Sequence, residues 1–370
     1  MSKVLFTATV VKTHIMHFHV PFLELFKNSG WETAVAAKND YEISADCSIP
    51  FCDSYFDVPF HRSPLNIDNV KAYRALKRII SQGNYDIIHC HTPSAAVLTR
   101  LAARKAGKHG TKVIYTAHGL HFYKGAPLKN WLLYYPIERL CAHWTDTLIT
   151  INQEDYQFAK KCLPAKEIVY VPGVGIDLEK YSPFVSPEKR QETKTLLGLK
   201  PSEKMLLSVG ELTRRKNHEV ILRTLAKITD LSWKYYICGS GELQEYLSSV
   251  IVSLGLTGRV FLLGYRKDIS DLCACADLFL FPSLQEGLPV ALMEAIACKV
   301  PVLCSDIRGN TDLVESESLF SLNDPNSLLQ KLSAALEQAD TTERIEQNYR
   351  KLIPFSLENV IGQMKKIYGL

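Results

Sequence analysis

The chain has 370 residues, of which 46% are hydrophobic and 22% charged, and a formal net charge of +4. This length favours two domains, and the composition excludes a disordered or fibrous protein. Its 10 cysteines are scattered without a CxxC pair, which is typical of reduced cytosolic cores, and no apolar run approaches the roughly 20 residues of a membrane span.

Short apolar runs alternate with helical patterns along the first half of the chain. Strands are predicted over residues 4–9, 33–37, 87–90, 113–116, 147–150 and 168–171, and helices over 20–30, 68–82, 95–107, 129–143 and 155–161. Residues 180–200, which contain two prolines and many charges, are interpreted as a linker.

The same alternation is clearer in the second half. Strands are predicted over 205–209, 234–238, 260–263, 278–281 and 300–304, helices over 219–228, 243–254, 269–276 and 290–298, and a last amphipathic helix over 356–368. This pattern predicts an α/β protein with two Rossmann-like parallel-sheet domains facing a central cleft. We place the domains at residues 1–185 and 186–352, followed by a C-terminal helical segment at 353–370.

Two glutamates flank a predicted strand-to-helix turn in the second half. Glu286 and Glu294 are eight residues apart, with Gly287 and Pro289 between them. Exposed amides at such a helix start suit an anion or sugar oxygens. Eight helical residues rise about 12 Å, longer than the roughly 5–9.5 Å of a glycosidase carboxylate pair. We therefore expect the two carboxylates to hold opposite ends of one extended ligand.

A basic loop between a strand and a helix is the second signal. Arg214, Arg215 and Lys216 follow Gly210 and precede the helix. Guanidinium and ammonium groups at this place can bind a diphosphate and stabilise the charge that grows on it as it leaves. A nearby GxG ending at Gly241 lacks the third glycine of a dinucleotide-binding motif, so NAD binding is not predicted.

The first half carries a basic stretch. No acidic residue occurs between Asp86 and Glu138, whereas seven basic residues do: Arg100, Arg104, Lys105, Lys108, Lys112, Lys124 and Lys129. Such a face indicates an anionic partner, which is a membrane surface, a phosphate-bearing acceptor or nucleic acid. An ordinary solvated surface is the alternative. Nucleic acid is not expected because no recognised reader module is present.

Together these motifs resemble retaining glycosyltransferases of family 4, and bacterial exopolysaccharide and capsule enzymes in particular. The resemblance covers nearly the whole chain and includes residues 171–177, 210–217 and 281–295, and the N-terminal motifs at 14–21, 89–93 and 115–125. It implies the GT-B fold, in which the C-terminal helix crosses back to the N-terminal domain. It also implies an acceptor in the N-terminal domain and a nucleotide sugar in the C-terminal domain.

The resemblance also implies residue roles. Glu294 is expected to hold the ribose, Glu286 the donor sugar, and Arg215 with Lys216 the diphosphate. The catalytic set implied is His118, Glu286, Arg215 and Lys216. The donor-binding set is Glu294, Gly210, Gly241, Arg266, Gly287, Leu288, Pro289 and Val290, and the acceptor-binding set is His14, His19, His91 and His121.

Neither a metal nor a cofactor is expected, since there is no Asp-x-Asp motif. We expect His89 and His91 to face opposite sides of their strand, with no third ligand at a plausible spacing. Glu211 stands where many relatives carry arginine, so either Arg214 or Arg215 is expected to compensate for it or Glu211 is expected to point away.

The function expected is transfer of a hexose or N-acetylhexosamine, with retention, from a nucleotide diphosphate sugar, UDP-sugars first. The acceptor expected is a polyisoprenyl-diphosphate-linked saccharide of exopolysaccharide or capsule biosynthesis. The protein is expected in the cytoplasm, on the inner face of the cell membrane. The alternatives are a nucleotide-sugar epimerase of the same fold and a catalytically silent GT-B scaffold, the latter because of Glu211.

Overall fold

The computed structural model describes residues 1–63, 66–181, 186–337 and 341–370. It divides into two compact units, Met1–Gly175 with Leu357–Leu370, and Ile176–Ser356. The second unit therefore begins before residue 186, where we placed the boundary, and residues 182–185 beside that boundary lie outside the described part of the chain.

Seven parallel strands form the sheet of the first unit, in the order β3-β2-β1-β4-β5-β6-β7. They are β1 (Lys3–Val10), β2 (Glu32–Lys38), β3 (Ser54–Asp57), β4 (Ile87–His91), β5 (Lys112–Ala117), β6 (Thr147–Thr150) and β7 (Glu167–Tyr170). The helices are α1 (Met16–Phe18), α2 (Val20–Asn28), α3 (Asp68–Gly83), α4 (Pro93–Ala103), α5 (Leu128–Ala142), α6 (Gln153–Cys162) and α14 (Leu357–Tyr368). Every residue of β4 is buried, as expected for a parallel sheet that is covered on both faces.

Six parallel strands form the sheet of the second unit, in the order β10-β9-β8-β11-β12-β13. They are β8 (Lys204–Val209), β9 (Trp233–Cys238), β10 (Val260–Gly264), β11 (Leu278–Phe281), β12 (Val302–Ser305) and β13 (Leu319–Phe320). The helices are α7 (Pro187–Leu196), α8 (His218–Leu225), α9 (Gln244–Ser253), α10 (Ile269–Cys275), α11 (Val290–Ala297), α12 (Pro325–Glu337) and α13 (Thr342–Leu352). The predicted fold class, two Rossmann-like parallel sheets, is confirmed.

The strand orders bring particular loops together. The order reverses between β1 and β4 in the first unit, and between β8 and β11 in the second. In open α/β sheets, ligands bind beyond the carboxyl ends of the strands at such a reversal. The loops after β1, β4 and β5 therefore meet at one edge of the first sheet, and the loops after β8 and β11 meet at one edge of the second.

The last helix, α14, belongs to the first unit, as predicted. Val360, Met364 and Tyr368 of this helix are buried in the same hydrophobic cluster as Phe26 of α2. A Cβ on Gly175 would lie 2.7 Å from the Leu357 Cα, and Gly175 has a φ of +85°. Glycine is therefore needed where the chain passes close to the start of α14.

Several elements were not predicted. β3 is a short edge strand whose residues are half-buried or exposed, so it carries no apolar run. α7 lies inside the predicted linker, where the Ser186 side chain accepts a hydrogen bond from the Lys189 amide and Lys194 pairs with Asp277 at 2.7 Å. β13, α12 and α13 were also missed.

Candidate functional site

Three of the predicted catalytic residues meet in the second unit, where the loops after β8 and β11 converge. Glu286 Oε1 accepts hydrogen bonds from Arg215 Nη1 at 2.8 Å and from Lys216 Nζ at 2.7 Å. The Glu286 side chain is only 9% exposed and that of Lys216 is 12% exposed. One carboxylate therefore contacts two cations, of which Lys216 is largely buried and Arg215 is 43% exposed.

Lys216 lies in a shielded environment. Burial lowers the pKa of its ammonium, and the adjacent Glu286 carboxylate acts in the opposite direction. The Nζ atom also lies 4.6 Å from the centre of the Phe281 ring. Because water screens a charge poorly at such a place, its attraction for a bound anion is stronger than on an open surface.

The predicted glycines shape this basic loop. A Cβ on Gly210 would lie 3.2 Å from Lys216 Cδ, so a side chain there would press on the lysine. A Cβ on Gly241 would lie 2.5 Å from the Leu212 carbonyl oxygen. Gly210 thus leaves room for the lysine, and Gly241 leaves room for the backbone of Leu212.

Glu294 lies in the second turn of α11 and has a partner that the sequence did not reveal. The Tyr181 hydroxyl donates a hydrogen bond to Glu294 Oε1. Burial, and then this contact with Glu294, raise the pKa of Tyr181. The chain between Glu286 and Glu294 is helical only from Val290, so the 12 Å estimate for a continuous helix does not apply.

Four further predicted donor residues lie at the N-terminal end of α11. Gly287, Leu288 and Pro289 precede α11, and Val290 begins it. Arg308, which the sequence analysis missed, donates from Nε to the Glu286 carbonyl at 3.1 Å.

Arg266 and Glu211 of this unit differ in whether their charged groups are paired or exposed to solvent. Arg266 forms a two-bond ion pair with Asp268, at 2.8 and 2.5 Å, so its guanidinium is already engaged. Glu211 is 70% exposed and lies 3.9 Å from Arg215. It points to solvent, which leaves Arg215 and Lys216 beside Glu286.

His218, at the start of α8, predicts a pH dependence for the second unit. Burial, and then the charge of Lys216, lower its pKa from the ordinary 6.5 to about 4. Below pH 6.5 the unfolded chain binds a proton that the folded unit does not, so stability falls with acid. We expect a loss of about 1.4 kcal/mol of stability per pH unit, or about 2 kcal/mol at pH 5.

Urea unfolding at pH 7 and pH 5 measures this loss of stability. Other buried histidines add to the slope of every variant, so His218→Gln should lose about 2 kcal/mol less than the parent between pH 7 and 5, whereas exposed His143→Gln should match the parent. An equal loss in His218→Gln and the parent would contradict the assignment.

Four histidines of the first unit form what we call the histidine cluster: His14, His19, His91 and His118. His14 and His19 approach at 3.2 Å between their Nε2 atoms. His118 Nε2 lies 3.3 Å from His91 Nδ1. The rings of His19 and His91 are stacked at 3.7 Å and join the two pairs.

The expectation that His89 and His91 face opposite sides of their strand is wrong. Their ring centres are only 4.1 Å apart. Residues two apart on a strand point to the same face, so His89 and His91 share one face of β4. Four histidines from three separate segments also come together here, which spacing along the chain does not reveal.

The histidine cluster is uncharged at neutral pH. Burial lowers the pKa of His118 to about 4 and the pKa values of His14, His19 and His91 well below 6.5. In each of the last three, positive charge on a neighbouring histidine acts in the same direction.

Two backbone features hold the histidine cluster. Residues Val11–Ile15 form a π-helical turn, and Asp40 accepts hydrogen bonds there from the amides of Lys12 and Thr13, at 2.6 and 3.3 Å. Thr92, directly after β4, has a φ of +61°. Its hydroxyl oxygen accepts a hydrogen bond from the Thr9 amide at 3.0 Å. Strained backbone of this kind occurs most often at functional sites.

A cavity of about 340 Å³ lies beside the histidine cluster. His14 and His121 line it, together with polar Thr13, Arg62, Asn69 and Ser94 and apolar Val97, Leu98, Leu133 and Ile137. The His121 ring packs on Tyr134 at 4.7 Å and is not part of the cluster. The cavity offers hydrogen-bonding groups on one part of its wall and apolar contact on the other.

The basic stretch forms an exposed surface only in part. Arg104, Lys105, Lys108, Lys124 and Lys129 are exposed. Arg100, which we had counted with them, is instead fully buried and makes a two-bond ion pair with Glu138 at 2.6 and 3.0 Å. Nearby, α5 exposes four leucines: Leu128, Leu132, Leu133 and Leu140. Within the described ranges, no helix has the length and apolar character needed to cross a membrane.

Comparisons with known proteins bear on this arrangement. The family description "Glycosyl transferase 4-like" matches residues 3–152, and "Glycosyl transferases group 1" matches residues 189–352. EpsD of Bacillus subtilis (strain 168), which is assigned to the glycosyltransferases, is 36% identical over 100% of this chain and 96% of its own length. An Escherichia coli UDP-Gal:alpha-D-GlcNAc-diphosphoundecaprenol alpha-1,3-galactosyltransferase is 33% identical over 72% of this chain and 70% of its own. The crystal structure of Anabaena HepE in complex with UDP and glucose has a TM-score of 0.81 at 18% identity, covering 100% of both chains, which is a likeness of fold.

Proposed function

Since the chain belongs to glycosyltransferase family 4, we propose that it transfers a hexose or N-acetylhexosamine from a UDP-sugar to a lipid-linked saccharide, with retention of configuration. The observation that carries the donor assignment is the contact of Glu286 with both Arg215 and Lys216 at the strand reversal of the second unit. The Escherichia coli relative, whose name specifies UDP-Gal, supports UDP as the nucleotide.

Each donor residue has a part in this reaction. Glu294 accepts hydrogen bonds from the ribose hydroxyls, in place of the one that Tyr181 now donates. Arg215 and Lys216 bind the diphosphate, while Glu286 orients both cations and contacts the sugar. The amides of residues 287–290, at the start of α11, add hydrogen bonds to phosphate or sugar oxygens.

The chemical step is a same-face substitution. The bond between the anomeric carbon and the diphosphate oxygen breaks, and the acceptor oxygen forms a bond to that carbon on the same face. The acceptor hydroxyl gives its proton to the leaving diphosphate, and Arg215 and Lys216 stabilise the charge that grows there. Because these two side chains supply the positive charge, we propose transfer without a metal.

The acceptor side is assigned to the first unit. The cavity beside the histidine cluster, lined by His14 and His121, combines polar groups for a saccharide with apolar wall for a lipid-linked substrate. The names of two relatives specify diphosphoundecaprenol and diphospho-undecaprenol substrates. His118, His19 and His91 present neutral imidazoles beside this cavity, and His118 is proposed to contact the reacting groups.

A transfer assay tests the proposal. The full-length chain is incubated in EDTA with UDP-sugars and a short-chain polyprenyl-diphosphate-linked saccharide. We expect one α- or β-linked product whose anomeric configuration, read by NMR, equals that of the donor. Inversion would exclude retention, and a requirement for added Mg²⁺ would exclude transfer without a metal. Epimerised nucleotide sugar without acceptor would favour an epimerase, and binding of a partner without turnover of any nucleotide sugar would favour a scaffold.

We also propose that α5 and the adjacent basic residues bind the cytoplasmic membrane surface. Leu128 and Leu132, one helical turn apart, are 73% and 70% exposed. Burying each in the interface contributes about 1.5–3 kcal/mol, and each nearby lysine or arginine about 1 kcal/mol on anionic lipid.

Substitution of the two leucines checks this membrane proposal. We expect each of the two substitutions in L128E/L132E to weaken the affinity for phosphatidylglycerol vesicles by at least about 10-fold. Sedimentation of the protein with the vesicles measures this affinity. Leu196→Glu is the matched control, because Leu196 is 81% exposed in the second unit. Binding that is unchanged in L128E/L132E, or indifferent to salt and to anionic lipid, would exclude this surface.

A further inference from the structure

We propose that the histidine cluster of the first unit is a binding site for a divalent first-row transition metal ion such as Zn²⁺. One ring nitrogen from each of His14, His19, His91 and His118 lies within 4.8 Å of those of the other three. Imidazole nitrogen is a ligand that Zn²⁺, Cu²⁺, Ni²⁺ and Co²⁺ accept, whereas Mg²⁺ and Ca²⁺ prefer oxygen. The proposal rests on this geometry and not on the proposed transferase function.

The distances between the ring nitrogens are close to those of tetrahedral coordination. Metal–nitrogen bonds of about 2.0–2.1 Å place the ligands of a tetrahedral ion about 3.3 Å apart. The pairs His14–His19 and His91–His118 are already at 3.2 and 3.3 Å. The wider pairs have to close, and the stacked rings of buried His19 and His91 have to rotate apart before both nitrogens point at one ion.

His89 is close to the histidine cluster but is not a ligand. Its Nδ1 bonds to the Tyr368 hydroxyl at 2.7 Å and its Nε2 to the Thr116 hydroxyl at 2.8 Å. Both nitrogens are thus engaged, and the ring is held between α14 and β5. This separates His89 from the four rings that face one another.

The surroundings set the strength of binding. His19 Nδ1 and His91 Nε2 are buried without a hydrogen-bond partner among the residues that the structure describes. In metal sites the second nitrogen of each histidine usually donates to such a partner, and losing one costs about 10- to 100-fold in affinity. We therefore expect reversible, micromolar binding rather than the tight binding of a structural zinc site.

Because the site lies beside the cavity, a bound ion is expected to affect sugar transfer. His14 lines the cavity beside the histidine cluster, so an ion has a path of entry. A bound ion would withdraw His14 and His118 from the acceptor side, and we expect it to inhibit transfer. This inhibition, unlike the binding itself, rests on the proposed function.

Titration with Co²⁺ tests the site directly. The EDTA-treated and dialysed full-length protein is titrated with Co²⁺, because tetrahedral Co²⁺ absorbs visible light far more strongly than octahedral Co²⁺. We expect one saturable, tetrahedral site that Zn²⁺ empties by competition and Mg²⁺ does not. A weak octahedral spectrum, or no saturation, would overturn the proposal whatever the result of the transfer assay.

Single variants identify the ligands. His14→Ala and His118→Ala are each expected to weaken Co²⁺ binding by at least about 10-fold. Loss of a hydrogen bond that only supports a ligand already costs about this much, and loss of the ligand itself should cost no less. His17→Ala is the control, since His17 is exposed on α1 beside the cluster. Circular dichroism melting shows that the variants fold, and if one does not, the other still tests the site. Equal affinity in the folded variants and the parent, or an equal loss in His17→Ala, would overturn the assignment.

Discussion

Lys216→Ala is expected to lower kcat by about 100- to 1,000-fold, the usual effect of removing one group that stabilises charge in a transition state. The physical reason is that the Lys216 ammonium is fixed by Glu286 at 2.7 Å and is largely shielded from water. A charge in such a place needs no reorganisation when the diphosphate leaves. Steady-state kinetics with a UDP-sugar and acceptor measure the change.

Two further variants make this prediction specific. Lys216→Arg keeps the charge and is expected to retain more activity than Lys216→Ala. Lys227→Ala, at an exposed residue just beyond α8, is expected to match the parent. Melting temperatures separate loss of activity from loss of folding, because Lys216→Ala leaves Glu286 with Arg215. Activity of folded Lys216→Ala equal to that of the parent would exclude the lysine from diphosphate binding.

Glu138→Ala is expected to destabilise the first unit by about 3–5 kcal/mol, since it leaves the Arg100 guanidinium buried without its counter-ion. Arg100 is 0% exposed, and it also donates from Nε to the Ala96 carbonyl and lies over the Tyr115 ring. No other acidic residue occurs between Asp86 and Glu138 in the sequence. Urea unfolding monitored by circular dichroism measures the loss.

Replacing both Arg100 and Glu138 separates the cost of an unpaired buried charge from the cost of lost packing. Arg100→Met combined with Glu138→Leu is expected to recover much of the stability that Glu138→Ala loses, because no charge is then buried. Asp68→Ala removes a partner of exposed Lys71 and is expected to leave the unfolding midpoint almost unchanged. A midpoint for Glu138→Ala equal to that of Asp68→Ala would mean that the buried pair contributes little.

The fold was predictable because strands buried on both faces appear as continuous apolar runs. β8, β9 and β11 were found within one or two residues for this reason. β3 was missed because an edge strand needs no such run. α7 was missed because its anchor is Lys194 with Asp277, a contact between residues distant in the chain.

The donor loops were visible in the sequence because each is continuous. The basic loop at 210–217 and the glutamate turn at 286–294 could be identified separately, although their contact depends on β8 lying beside β11. The ion pair of Glu286 with Lys216 therefore needed the fold. Tyr181 and Arg308 gave no sequence signal, since each contacts the site from another part of the chain.

The histidines illustrate the same limit. His14 and His118 follow β1 and β5, and His91 is the last residue of β4, which lies between them. Their meeting depends on this strand order, which spacing along the chain does not reveal. Arg100 shows the converse error. It was read as part of a basic surface, but its partner, Glu138, lies on the adjacent helix α5, and the pair is buried.

We propose that the second unit binds the nucleotide of a UDP-sugar through Glu294 and through Arg215 and Lys216, which Glu286 contacts. Thermal unfolding of the parent, Glu294→Ala and the exposed control Glu245→Ala with UDP, GDP, ADP and TDP tests this binding. At 100 times its dissociation constant a ligand adds about 2.7 kcal/mol of stability. We predict that UDP alone raises the melting temperature of the parent and of Glu245→Ala, and that Glu294→Ala loses this shift. No shift with any nucleotide, or an equal UDP shift in Glu294→Ala, would exclude this nucleotide site.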